Sequence, residues 1–66
     1  MKLKINGEEK SINGEITVSN LLSLLNIDSS KIVVEVNLSI IDKNEYNNFS
    51  LKNGDVLEII RFMGGG

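Results

Sequence analysis

The chain has no cysteine and no histidine. Without cysteine there is no disulfide framework, no thiol nucleophile and no thiolate metal site. Without histidine the usual general base near neutral pH and the commonest metal ligand are also missing. Positive charge is in short supply: seven lysines and arginines against nine aspartates and glutamates give a net charge of -2 with no basic stripe, which argues against nucleic-acid binding by phosphate neutralisation. No apolar run is long enough to span a bilayer, and Met1-Lys2-Leu3-Lys4-Ile5 lacks the uninterrupted apolar core of a signal peptide. These absences argue against an enzyme and point to a soluble, cytoplasmic domain. With 66 residues in all, such a domain hides only about 60% of the surface its unfolded chain exposes, leaving little core volume for an internal active site.

What the chain does have is a hydrophobic content of 41%, dominated by the strand-formers isoleucine and valine. Met1, Leu3 and Ile5 alternate with Lys2 and Lys4, the period of a half-buried strand. Asn6-Gly7, two residues that tolerate positive φ, predicts a hairpin, and Glu8 to Ile12 reads as a weaker return strand ended by Asn13-Gly14. Val18, Leu21, Leu22 and Leu25 recur at helical spacing, with Thr17 placed to cap the helix and Asn26 to stop it. Lys31 to Asn37 is β-branched enough for an interior strand covered on most of both faces. Ile40-Ile41 makes a short strand, and Tyr46 and Phe49 are expected to plug the underside of the core beneath the polar connection from Asp42 to Ser50. Lys52-Asn53-Gly54-Asp55 is a tight turn that launches the last strand. On that strand Leu57, Ile59 and Arg61 face one way and Glu58, Ile60 and Phe62 the other. The sum is an α+β fold in one domain over residues 1–66, a mixed four- to five-stranded sheet on one helix. Its first and last strands are expected to pair parallel in the centre, because the helical crossover permits a right-handed connection.

The chain closes on Phe62-Met63-Gly64-Gly65-Gly66. Three glycines form a poor fold element and a good thread: with no Cβ they let another surface approach the backbone closely, and they could carry a terminal carboxylate about 10 Å beyond the last side chain. Residues 63–66 are therefore read as a flexible reactive tail. A carboxylate with a pKa of about 3.3 to 3.7 is an anion at neutral pH and a sluggish acyl donor, so chemistry there requires prior activation. The competing reading is an inert tail or an engineering remnant.

This order of elements resembles the β-grasp, or ubiquitin-like, fold. Within it the chain is similar to the ThiS family, the sulfur carriers of thiamine biosynthesis. The resemblance is carried by Lys2-Leu3-Lys4-Ile5-Asn6-Gly7-Glu8, Thr17-Val18 with Leu21-Leu22, Val33-Val34-Glu35-Val36-Asn37, and Asn53-Gly54-Asp55 through Glu58 to Gly66. One departure is Leu38, where the family often has glycine; its turn is expected to differ and its side chain to be exposed.

The resemblance implies a protein co-substrate that binds no cofactor itself. An E1-like adenylating enzyme of the ThiF type would use ATP and magnesium to activate the Gly66 carboxylate. A persulfide sulfur would displace AMP to leave a thiocarboxylate, and a thiazole synthase of the ThiG type would accept the sulfur. Gly65 and Gly66 would lie where a Cβ meets the tunnel wall, with Gly64 and Met63 as hinge and spacer. Ile60, Arg61, Phe62 and Met63 are the candidate partner-binding residues, against the alternative that Phe62 folds back over the sheet edge. Glu8, Glu9 and Asp28 are read as surface solvation, and the free chain as a monomer. A molybdopterin synthase small subunit, a ubiquitin-like modifier and a plain β-grasp binding module remain as rival readings.

Overall fold

Strand β1 (Lys2–Ile5) buries Leu3 and Ile5 and exposes the two lysines, as the alternation requires. In the computed structural model, which describes residues 1–62, Asn6 at φ 50° and Gly7 at φ 84° turn the chain into β2 (Glu8–Ser11). Two successive positive φ values match the right-handed twist of the flanking strands. The pairing runs past the named strands: the Met1 ammonium donates to the Ile12 carbonyl at 2.7 Å and the Ile12 amide donates back to Met1 at 2.8 Å.

Helix α1 (Val18–Leu24) has only seven residues. A free helix of that length is marginal in water, so its stability comes from its buried face. Val18, Leu21 and Leu22 are fully covered and Leu25 is half-buried against the same core. The Thr17 hydroxyl accepts from the Asn20 amide at 3.1 Å, capping the first turn. Asn26 at φ 62° ends the helix.

Strands β3 (Ile32–Val36), β4 (Ser39–Ile41) and β5 (Val56–Arg61) complete a five-stranded sheet in the order β2-β1-β5-β3-β4. β1 and β5 are parallel, with Lys4 opposite Val56 and Ile5 opposite Leu57; the other pairs are antiparallel. β5 is therefore the central strand, as the sequence predicts. β3 departs from expectation. Its Ile32, Val34 and Val36 are buried, but Val33 and Glu35 are only half-buried. The helix covers one face of the sheet, so β-branched residues on the other face serve strand propensity more than burial.

Tyr46 is buried under the core and its hydroxyl accepts from the Val34 amide at 3.3 Å, while Phe49 packs half-buried beside it. The connection also contains a 3₁₀ turn at Lys43–Glu45, and a second one, Ser29–Lys31, precedes β3. Neither has a sequence period long enough to foresee. Asp28, read as solvation, caps the second of these turns: its Oδ1 accepts from the Ser30 amide at 3.0 Å and the Ser30 hydroxyl at 2.8 Å. These hydrogen bonds hold its pKa below the usual carboxylate range. Glu8 and Glu9 remain exposed, in loose 3.9 Å pairs with Lys10 and Lys2. No described helix is long and apolar enough to cross a membrane.

Candidate functional site

The start of β5 is fixed by side chains on three segments. The Asp55 carboxylate accepts from the Lys52 amide at 2.8 Å and from the Asn37 side-chain amide at 3.0 Å. The Asn37 oxygen in turn accepts from the Val56 amide at 2.9 Å. Asn53 accepts from the Lys2 amide at 2.7 Å, and Gly54, at φ 89°, donates to the Lys2 carbonyl at 2.7 Å. Aspartate and asparagine suit these places because a short side chain can stand in for a missing backbone partner.

The far end of β5 has a different problem. β1 turns away at Asn6 after pairing with the first part of β5 only. Asn6 fills the gap with its side chain: Oδ1 accepts from the Ile59 amide at 2.7 Å, and Nδ2 donates to the Ile59 carbonyl at 3.3 Å. On the other side, β3 pairs with β5 as far as Arg61, and the Phe62 amide donates to the Lys31 carbonyl at 3.0 Å. The chain is thus held on a fixed line up to the residue before Met63.

The predicted facing of the strand is borne out. Leu57 is fully buried and Ile59 packs on the core, whereas Ile60 is 46% and Phe62 55% exposed. Arg61 is exposed as well. Phe62 does not fold under the sheet edge; the Lys43 ammonium lies 6.0 Å from its ring centroid, at the limit of cation–π range. Ile60 and Phe62 therefore stand accessible on the outer face where the described chain ends, with Arg61 exposed between them on the opposite side. Met63, Gly64, Gly65 and Gly66 lie outside the described residues.

Leu38, in the turn after β3, is exposed as the sequence predicts. Sequence reasoning missed that Ile40 and Val56 are exposed on the sheet as well. A signal existed for both: Val56 and Ile60 share a strand face with Phe62, and Ile40 lies opposite Glu35. Among the described residues no charged side chain is buried, and no three histidine, cysteine, aspartate or glutamate residues could hold a metal ion.

Comparison with known proteins now bears on what is recognised. The ThiS family model matches residues 3–66. The sulfur carrier protein ThiS of Bacillus subtilis is 34% identical over 65 residues, covering 97% of this chain and 98% of that protein. The chain belongs to the ThiS family.

A crystal structure of a thiamine biosynthesis protein (ThiS) from Geobacter metallireducens superposes with a TM-score of 0.87 at 32% identity, covering all of both chains. The fold of this ThiS-family chain is accordingly the β-grasp. The Bacillus relative is a sulfur carrier protein and the Geobacter one a thiamine biosynthesis protein. The thiazole synthase of Paramagnetospirillum magneticum is 48% identical over 66 residues, and that of Magnetococcus marinus 32%. This ThiS-family chain spans 20% of the length of each of those two proteins.

Proposed function

We propose that the Gly66 carboxylate is the acyl group on which sulfur is carried. The observation that carries this reading is the family match, which runs through the triglycine to residue 66. The fixed line of β5 up to Phe62 supports it, because a partner that grips the sheet then receives the tail in a defined direction. An adenylating enzyme of the ThiF type supplies the activation, using ATP and magnesium. A Gly66 carboxylate oxygen attacks the α-phosphorus, pyrophosphate leaves, and an acyl-adenylate remains. The terminal sulfur of a persulfide attacks the acyl carbon and expels AMP. A thiol then cleaves the sulfur–sulfur bond, so that Gly66 keeps a thiocarboxylate and the thiol leaves as part of a disulfide. Thiazole synthase takes this sulfur; the presence of a segment similar to the whole chain within two thiazole synthases supports that partnership.

In this reading Gly65 and Gly66 pass where a side chain could not, Gly64 and Met63 provide hinge and spacer, and Ile60, Arg61 and Phe62 dock the adenylating enzyme. Appending one alanine after Gly66 is expected to abolish sulfur loading. Loading of the extended protein without trimming would show that the terminal carboxylate is not the acceptor. Phe62→Ala is expected to weaken binding to the adenylating enzyme about tenfold. Unchanged affinity in a folded variant removes Phe62 from the interface.

A further inference from the structure

The face of the sheet turned away from α1 carries two features that neither folding nor the tail chemistry uses. Asn37 and Leu38 form the two-residue turn between β3 and β4, at φ 51° and 73°. The second position of such a turn suits glycine, and a leucine there is strained by its Cβ. Leu38 gains no burial in return, for it is 90% exposed. The second feature is a like-charge pair. Glu35 and Glu58 stand directly opposite on β3 and β5, an arrangement that destabilises a sheet. Among the described residues the ion pairs are Lys2–Glu9 and Lys10–Glu8, which involve neither. Leu38, Val56 and Asn37 join the two glutamates around a groove of about 380 Å³, with Ile40, 68% exposed, at its edge.

We propose that this groove is the docking site for thiazole synthase, and that it receives a basic side chain of that enzyme flanked by apolar ones. The choice of partner rests on the sulfur-carrier reading. A cation placed between Glu35 and Glu58 turns their repulsion into two attractions, and an arginine fork can engage both carboxylates. Leu38, Val56 and Ile40 form the apolar rim that keeps water from such a pair. The preference for thiazole synthase follows from the relatives: in two of them a segment similar to this entire chain is part of a thiazole synthase. The groove is continuous with the exposed end of β5, since Val56, Glu58 and Ile60 form one stripe leading to Phe62. Its length is about 20 Å at strand rise, within the span of an ordinary protein interface.

Two kinds of variant test the site. Leu38→Gly and Leu38→Asn remove the anchor while suiting the turn, so each is expected to keep or raise the melting temperature; the asparagine variant guards against added chain entropy in the glycine one. Glu35→Gln with Glu58→Gln keeps the shape and removes the charge. Titration calorimetry with thiazole synthase is expected to show affinity at least about tenfold weaker for all three, with the glutamine pair also losing salt dependence. Full affinity in the folded variants overturns the site. Weaker binding to the adenylating enzyme with thiazole synthase binding intact overturns the choice of occupant. Sulfur loading at Gly66, measured on the same proteins, is expected to be unchanged. Failure of the unmodified protein to load contradicts the carrier chemistry and leaves the calorimetry to judge the groove by itself.

Discussion

Asn6 does two jobs with one residue: its backbone takes a left-handed turn and its side chain extends the ladder to Ile59 after β1 has left. Asn6→Gly keeps the turn and loses both hydrogen bonds, so it is expected to lower unfolding free energy by about 1–2 kcal/mol in denaturant titration. Equal stability would mean that the bonds to Ile59 carry no net energy. The hairpin role was legible, because Asn-Gly is a local signal. The bond to Ile59 joins residues 53 apart and leaves no trace in the neighbouring sequence. The same holds for Asn37 with Asp55. Asp28 offers a pH test. Its folded pKa is lowered by the Ser30 hydrogen bonds, so its contribution is full above the unfolded value of about 3.9 and is lost as pH falls through the lowered folded value. The stability difference between the unmodified protein and Asp28→Asn should hold steady near neutrality and shrink in acid. A difference independent of pH would contradict the capping role.

At the level of elements, α1 is short and stable only because of what it covers. Leu21 is fully buried, and Leu21→Ala is expected to cost about 2–5 kcal/mol. A domain of this size has roughly 3–10 kcal/mol in total, so the variant should be partly unfolded at room temperature by circular dichroism. A loss under about 1 kcal/mol would show that the helix is not the lid of the core. The leucine stripe made this helix readable, and alternation made β1 and β5 readable, including which residues of β5 stay outside. The face of β3 left half-open was not readable, because a run of Ile and Val carries no period that tells one face from the other. The two 3₁₀ turns were missed for want of length.

Taken as a molecule, the chain keeps its charged side chains on the outside among the described residues. The twelve core residues, from Leu3 to Leu57, hold a sheet whose central strand, β5, is the last described element of the chain. On the proposed reading the body provides direction and recognition, and the partner enzymes provide the bases, metals and leaving groups. The fold was legible because turn pairs and periods agree along the whole chain; the proposed tail chemistry rests on resemblance to a family, since three glycines are compatible with many ends. The most direct measurement is the intact mass, with fragmentation, of the protein after incubation with its adenylating enzyme, ATP, magnesium and a persulfide donor. A sulfur carrier gains one sulfur in place of one oxygen, located on Gly66. An unchanged mass, or sulfur placed on any other residue, would contradict it.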